Sequence, residues 1–359
     1  MNETMERGYI DFSCNIPELK TIKIVQLDGK LQEGYRPDEC LCGKIRIERT
    51  DEGVAVEVMD DVCVDMPLQI LNLVGFNGEA ETSSSSSVKL GRNSRLKLIH
   101  CDDSYSDSRC SLSTRLKIEL SSDSSLDYYK LENINDMSSV NTDVVFELGE
   151  GARLNTFGLS LNGFMIRNNF TVNFNREYGK ADLNGLYLMD KQQSTQTTVN
   201  VYHKKGNCTS NQLFKGILDD SAKADFVGHV FVDYDASGTE AFQSSKNMLL
   251  TDKAKVNTRP FLEIYNDDVK CSHGATIGQL DDEALFYLRS RGIALRSAKL
   301  LLMYAFCQDV LSKSDIEELK ESLGDLIKRR LQGELTACGN CVFQCSNPKF
   351  NFPVNPTKI

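Results

Sequence analysis

The stretch that decides the fold is DDVKCSHGATIGQLDDEALFYLRSRGI, residues 267–293. Its first half has the alternating pattern of a β-strand, and its second half, from Gly278 onwards, has the pattern of a helix. Within the first half, Cys271 and His273 stand two positions apart. Side chains at that spacing point to the same face of a strand, so the pair is a candidate site at the end of a β region.

Short alternating strands occupy the chain before this stretch, from about residue 22 to residue 268. Clear examples are KIRIE, VAVEV, RLKLIH, TRLKIEL, FTVNF, TTVNVYH and FLEIY. Between residues 155 and 257 the strands recur roughly every 12 to 16 residues, so two per turn would form a solenoid coil of about 25 to 30 residues. A β-sandwich fits the same pattern, since its strands also recur at short intervals. The serine run at residues 83–87 predicts an exposed loop or turn.

Three helical segments follow the β region. LDDEALFYLRSRG opens with acids and ends at Gly292, which suits a C-cap. A second segment, residues 294–311, carries apolar residues along one side. The third opens with a capping box of Ser314 and Glu317 and ends at Gly333. We therefore expect a β core over residues 1–277, a helical domain over 278–334 and a cysteine-containing tail over 335–359.

Composition and charge narrow the function. The chain of 359 residues has a net charge of −10 and no block of basic residues, which argues against nucleic acid as a partner. Its most apolar run, ALRSAKLLLMYAF, is interrupted by Arg296 and Lys299, so we expect no membrane span. The start lacks a signal-peptide pattern, so the 12 cysteines are expected as free thiols or metal ligands in the cytoplasm. Without a G-x-x-x-x-G-K-[ST] loop, any ATP hydrolysis is predicted to belong to another subunit.

Two groups of residues could hold a metal. Cys271 and His273 offer a thiolate and an imidazole, a donor pair that suits zinc or iron. The alternative is that Cys271 packs in the strand and His273 bonds a nearby carbonyl. In the tail, Cys338, Cys341 and Cys345 form a C-x2-C-x3-C run, which suits a metal or a cluster but lacks the fourth ligand of a closed zinc site. The alternative there is a set of incidental thiols.

The other histidines and a set of acids carry weaker signals. We expect packing or surface roles for the histidines that lie in or beside strand patterns: His100, His203 and His229. Asp219, Asp220 and Asp225 would suit a carbohydrate-active enzyme on a solenoid if they converged on one face. An enzyme of that class is therefore an alternative to a binding or scaffold protein.

Two segments of the chain resemble the SufB/SufD family of iron–sulfur cluster assembly proteins, and they are most similar to its SufD branch. The segments are CTSNQLFKGILDD, residues 208–220, and AFQSSKNMLLTDKAKVNTRPFLEIYNDDVKCSHGATIGQLDDEALFYLRSRGI, residues 241–293. The similarity is strong over about residues 155–331 and weaker over the earlier strands. It implies a right-handed parallel β-helix followed by a C-terminal helical domain, and so favours the solenoid over the sandwich.

The resemblance also implies partners and roles. A SufB-like subunit would bind through the β-helix and a SufC-like ATPase through the C-terminal helices, with a homodimer as an alternative for the isolated chain. In the family the histidine of the CSHGAT motif lies at the SufB interface and takes part in nascent cluster or iron handling. That role falls on His273, with Cys271 beside it. The segment that docks the ATPase falls on Phe286, Tyr287, Leu288, Arg289, Ser290 and Arg291.

The implied function is that of a SufD-like scaffold subunit of a SufBCD complex, without enzymatic activity of its own. No stably bound cofactor is expected, only transient iron or a transient iron–sulfur cluster at the complex interface. A SufB-like or homodimeric cluster scaffold is the alternative within the family.

Two features depart from the family pattern. SufD proteins commonly begin with a helical domain and contain tryptophan, whereas strand patterns begin near residue 22 here and the chain has no tryptophan. We therefore expect the N-terminal helical domain to be lacking. The family offers no role for the cysteine tail.

Overall fold

The computed structural model describes residues 19–31, 43–75 and 81–332 of the chain. Strands make up 56% of these described residues, and three helices follow the last described strand. The strands are β1 (Ile22–Leu27), β2 (Lys30–Leu31), β3 (Ile45–Arg49), β4 (Val54–Val58), β5 (Leu68–Val74), β6 (Glu81–Leu90), β7 (Arg95–Ser104), β8 (Ser111–Leu120), β9 (Ser125–Asn133), β10 (Ser139–Leu148), β11 (Arg153–Asn162), β12 (Met165–Phe174), β13 (Lys180–Met189), β14 (Ser194–His203), β15 (Thr209–Leu218), β16 (Lys223–Val232), β17 (Thr239–Leu249), β18 (Lys255–Ile264) and β19 (Val269–Gly278). The helices are α1 (Asp282–Ser290), α2 (Leu295–Leu311) and α3 (Glu317–Gln332).

Odd- and even-numbered strands separate into two sheets from β4 onwards. The ten-stranded sheet has the order β19-β17-β15-β13-β11-β9-β7-β5-β1-β2, and the nine-stranded sheet has the order β18-β16-β14-β12-β10-β8-β6-β4-β3. Neighbours along most of each sheet are parallel and two strands apart in the chain, so every coil contributes one strand to each sheet. About 8 coils stack in this way. The predicted solenoid is confirmed, and the sandwich alternative is wrong.

The coil length agrees with the predicted value of about 25 to 30 residues in the middle of the solenoid and slightly exceeds it near the open end. Leu116 pairs with Val144, 28 residues later, and His229 pairs with Phe261, 32 residues later. Several corners between strands are turned by Asn or Asp residues with positive φ, which these side chains tolerate: Asn93, Asp123 and Asn207. The right hand implied by the resemblance stays a prediction.

Apolar side chains fill most of the inside of the solenoid. On β10, for example, Val144, Phe146 and Leu148 are buried in this core, and the residues between them are only half-buried. A row of polar side chains interrupts the core on the ten-stranded sheet. This inner polar row follows the register from strand to strand through Gln26, Asn72, Asp102, Glu132 and Ser160.

The prediction of a loop at the serine run is wrong, because residues 83–87 lie inside β6. Ser84 and Ser86 are buried and point into the solenoid. Ser86 Oγ accepts hydrogen bonds from Gln26 Nε2 and from the backbone N–H of Val54, each at 3.2 Å. The Ser86 hydroxyl thus has one partner on the inner polar row and one on β4, and the strand itself pairs in parallel with β8. The composition of the serine run does not reveal these hydrogen bonds or this strand pairing.

The helices pack on the outer face of the ten-stranded sheet. Apolar residues of α2 and α3 share one buried cluster with outward-facing strand residues, among them Met303, Cys307, Leu319, Tyr129 and Leu159. Arg330 fastens α3 to the solenoid, because its guanidinium donates to the Asp190 carboxylate at 2.6 and 2.8 Å and to the Leu161 carbonyl at 2.9 Å. In contrast, α1 buries none of its residues.

Candidate functional site

Strands β18 and β19 form the open end of the solenoid. Each is the last strand of its sheet in the part of the chain that the structure describes, so each is paired on one side only. Such an edge presents backbone N–H and C=O groups to a neighbouring chain. Large apolar side chains with 39–51% exposure lie on or next to these strands: Phe261, Ile264, Tyr265 and Ile277. The open end therefore combines unpaired backbone with exposed apolar surface.

Cys271 and His273 lie on β19, the edge strand itself. Their partners in the register with β17 are Ala241 and Gln243, which are both buried. Since Ala241 belongs to the inner core, the pair continues the inner wall of the solenoid at its open end. Cys271 is half-buried against that core, and His273 is exposed. The two side chains share one face, as their spacing predicts.

Cys271 and His273 can supply only part of a metal site. Burial raises the pKa of the Cys271 thiol above its usual value, although a hydrogen bond with the Ala241 backbone opposes the shift. The thiol therefore keeps its proton at neutral pH until a metal displaces it. Across residues 19–31, 43–75 and 81–332, no three His, Cys, Asp or Glu side chains group closely enough to hold a metal. A complete coordination sphere around this pair would need ligands from elsewhere.

A buried glutamine pair lies directly behind His273. Gln243 donates from Nε2 to Gln212 Oε1 at 3.1 Å. Gly228 on the facing sheet makes room for it, since a Cβ at that position would lie 1.4 Å from Gln243 Nε2. Gln243 Oε1 and Gln212 Nε2 have no hydrogen-bond partner within the described residues. Sequence reasoning missed these three residues, because only the register between coils brings them together.

A cleft of about 480 Å³ lies beside His273. It is lined mainly by polar residues of the ten-stranded sheet and by one lysine from the turn between α2 and α3: Asp182, Asn184, Asn211, Ser244, Ser272 and Lys313. The cleft thus lies between the edge strand that carries His273 and the helices on the outer face.

The predicted ATPase-docking segment lies on α1 and the residue after it. Asp281 caps the helix by accepting a hydrogen bond from the Ala284 N–H at 3.0 Å. Phe286 is 75% exposed and Tyr287 is 56% exposed, and Arg291 stacks over the Tyr287 ring at 4.8 Å. Of the remaining predicted residues, Arg289 and Ser290 are exposed and Leu288 is half-buried. The segment is therefore an uncovered surface with two large aromatic side chains.

The other predicted site residues fall elsewhere. The tail cysteines Cys338, Cys341 and Cys345 lie outside the described residues. Asp219 and Asp220 lie in the turn between β15 and β16, whereas Asp225 is on β16 and accepts a hydrogen bond from Asn257. These three acids are spread over a turn and a strand, which gives the carbohydrate-enzyme alternative no paired carboxylates.

The three remaining histidines have packing or surface roles, as predicted. His100 and His203 are buried, and burial lowers the pKa of each to about 3, so both are neutral. His203 stacks on Phe174 with 4.5 Å between the ring centroids. His229 bonds Glu263 at 3.1 Å on the outer face of the nine-stranded sheet.

The family model described as "SUF system FeS cluster assembly, SufBD core domain" matches residues 76–306. The chain therefore belongs to the SufBD family of iron–sulfur cluster assembly proteins. The resemblance seen in the sequence is confirmed.

Individual relatives agree with the family model. The iron–sulfur cluster assembly protein SufD of Escherichia coli (strain K12) is 36% identical over 230 residues, which is 64% of this chain and 54% of that protein. The SufD of Bacillus subtilis (strain 168) is 31% identical over 176 residues, which is 49% of this chain and 40% of that protein. The chain spans about half the length of the curated relatives it matches.

None of the helices in the described part of the chain is long and apolar enough to cross a membrane.

Proposed function

We propose that this chain is a SufD-like scaffold subunit of a SufBCD-type complex that assembles iron–sulfur clusters, and that it has no enzymatic activity of its own. The observation that carries the proposal is the position of Cys271 and His273 on the edge strand, facing the open end of the solenoid. The pair offers a thiol and an imidazole where a second chain can reach them.

The SufB-like subunit docks on the open end. Strands β18 and β19 have free edges, and backbone hydrogen bonds to an added strand give affinity in β-augmentation. The exposed Phe261 and Ile277 add apolar area to the same surface. The partner then supplies the ligands that Cys271 and His273 lack. In the isolated chain, a second copy could pair with the same edge, and this would be the route to a homodimer.

The SufC-like ATPase docks on α1. This helix buries none of its residues against the rest of the chain, and it exposes Phe286 and Tyr287. Exposed aromatic side chains of this size are the usual anchors of a protein interface. The neighbouring α2 and α3 are fixed to the solenoid, so force applied at α1 reaches the sheet through them.

Iron or a nascent cluster is the cargo and is not a resident cofactor. Cys271 gives up its proton when it binds, and His273 binds through a neutral ring nitrogen. Six described cysteines are free thiols, which suits a reducing compartment and favours the cytoplasm: Cys63, Cys101, Cys110, Cys208, Cys271 and Cys307. The tail run of Cys338, Cys341 and Cys345 stays a prediction of a second metal or cluster site.

Reconstitution with a SufB-like subunit and a SufC-like ATPase tests the proposal. His273→Ala is expected to lower the rate of cluster formation by about 10-fold or more, the usual order of loss at a metal site. His229→Ala is the matched control, because His229 lies on the outer face and bonds Glu263. Equal rates for His273→Ala and the unchanged chain would contradict the proposed site. Failure to bind either partner would contradict the proposed complex.

A further inference from the structure

Ionisable side chains are buried inside the first coils of the solenoid, far along the sheet from His273. Lys130 and Glu132 point inward from β9, and His100 and Asp102 point inward from β7, in register with them. All four are at most 3% exposed. They belong to a different part of the inner wall from β19, which lies five strand positions away from β9 in the same sheet.

The histidine of this group carries no charge. Asn72 Nδ2 lies 2.9 Å from His100 Nε2 and donates to it, so the ring proton is on Nδ1 and is donated to Tyr128 Oη at 2.8 Å. Burial, together with the Lys130 charge, lowers the pKa of His100 to about 3. His100 and Asp102 are therefore not an ion pair, although their side chains are 3.6 Å apart.

Lys130 is already neutralised by Asp102. The two side chains are in direct contact, and Asp102 also accepts a hydrogen bond from Asn72 Nδ2 at 2.8 Å. Burial would raise the pKa of Asp102, but the Lys130 charge and these hydrogen bonds outweigh it and hold the pKa below its usual value. Lys130 and Asp102 thus form a neutral ion pair, and Glu132 has no cation of its own to pair with in this group.

Glu132 makes an incomplete set of contacts for a carboxylate. Its Oε2 accepts from Ser160 Oγ at 2.6 Å and from Asn168 Nδ2 at 2.9 Å. Its Oε1 is buried and has no hydrogen-bond partner among the described residues, and the same holds for Asn168 Oδ1. Two buried acceptor oxygens without a donor lie on side chains that already bond each other. Buried polar groups in folded proteins are almost always paired, so a missing donor is expected here.

We propose that Glu132 is a buried proton-binding site: a neutral carboxylic acid that donates from Oε1 to Asn168 Oδ1 and closes a cyclic acid–amide pair. One proton satisfies both orphan oxygens and leaves the group Asp102, Lys130 and Glu132 without net charge. The charged or titratable groups that surround it are Asp102 and His100 on β7 and Lys130 and Tyr128 on β9. Burial raises the pKa of Glu132, the Asp102 charge adds to this shift, and Lys130 opposes it.

Infrared spectroscopy of the folded chain at neutral pH tests the proposal. The carbonyl stretch of a protonated carboxylic acid is separate from those of carboxylates and amides, and it shifts in D₂O. We expect one such band in the unchanged protein and its loss in Glu132→Gln. Glu147→Gln is the matched control, because Glu147 also accepts hydrogen bonds from two asparagines but faces outward on β10. The control is expected to keep the band, and its absence from the unchanged protein would overturn the proposal.

A pH series of chemical unfolding gives a second readout. Glutamine can replace the neutral acid, since its N–H donates to Asn168 and its oxygen accepts, so Glu132→Gln is expected to fold. The unchanged protein keeps the Glu132 proton that its unfolded form loses near pH 4.5, so its stability relative to Glu132→Gln should fall as the pH rises above that value. The proposal would be overturned if the stability of the unchanged protein relative to Glu132→Gln rises with pH or does not change with pH. If Glu132→Gln does not fold, the band of the unchanged protein and its loss on alkaline titration decide alone.

Discussion

Strands β9 and β19 occupy equivalent positions in the same sheet, yet their inward-facing side chains meet opposite conditions. Tyr128 on β9 and His273 on β19 lie in one row of the register, linked through β11, β13, β15 and β17. Strand β9 is paired on both sides and Tyr128 is buried, whereas β19 is paired on one side and His273 is exposed. The neighbours, rather than the residue type, decide whether a polar side chain is sealed inside or available to a partner.

Removing the buried ion pair of Lys130 and Asp102 should have the largest effect on stability. Lys130→Met leaves the Asp102 charge buried without a partner, and we expect a loss of about 3–5 kcal/mol in the free energy of unfolding. Urea denaturation monitored by circular dichroism measures it. Lys117→Met is the control, since Lys117 pairs with Glu119 on the outer face. A loss no larger than that of the control would show that the buried pair does not stabilise the first coils.

Substitution of Gly228, which packs against Gln243 next to His273, is expected to give the next largest loss of stability. Gly228→Ala forces Gln243 to leave its hydrogen bond with Gln212, at a cost of about 1–3 kcal/mol for orphaned buried polar groups. Gly278→Ala is the control, because a Cβ there meets no atom within 4 Å. When Gln243 is already replaced by alanine, Gly228→Ala should lower the free energy of unfolding only slightly. Equal costs in both backgrounds would mean that Gly228 acts independently of Gln243.

The buried histidines predict loss of stability in acid. Burial lowers the pKa of His203 to about 3, below the value of about 6.5 in an unfolded chain. Between these values the unfolded form binds a proton that the native form does not, so stability falls as the pH drops. The expected slope is about 1.4 kcal/mol per pH unit for each histidine, and His100 contributes in the same way. His203→Gln should lower the slope between pH 6 and pH 4 measured by chemical unfolding, and an unchanged slope would contradict this prediction.

The exposed helix α1 should have the smallest effect on stability. Phe286→Ala combined with Tyr287→Ala removes no buried contact, so the unfolding midpoint should not move. The affinity for a SufC-like ATPase should instead fall by about 10-fold or more, as for aromatic anchors of other interfaces. Calorimetric titration of the ATPase measures it. Unchanged affinity would place the docking surface elsewhere.

Local periodicity predicted the strands, the helices and the shared face of Cys271 and His273, whereas the solenoid was favoured over the sandwich only by the resemblance to the SufB/SufD family. The segment LDDEALFYLRSRG became α1 (Asp282–Ser290), within two residues of the helix that its acids and Gly292 predict. The serine run and the inner polar row were not predicted, since their partners lie one or two coils away. Gly228 and Gln243 meet only across the two sheets, and no spacing within the chain encodes that contact.

On the proposed function, His273 and Cys271 become a complete site only when a partner chain covers the open end. Iron content after anaerobic loading and gel filtration tests it most directly, for the isolated chain and for its complex with a SufB-like subunit and a SufC-like ATPase. We expect the isolated chain to retain no iron at this site. We expect the complex to retain iron, and this iron should be lost in His273→Ala and kept in His229→Ala. Iron held by the isolated chain through His273, or iron on the complex that is indifferent to His273, would contradict these expectations.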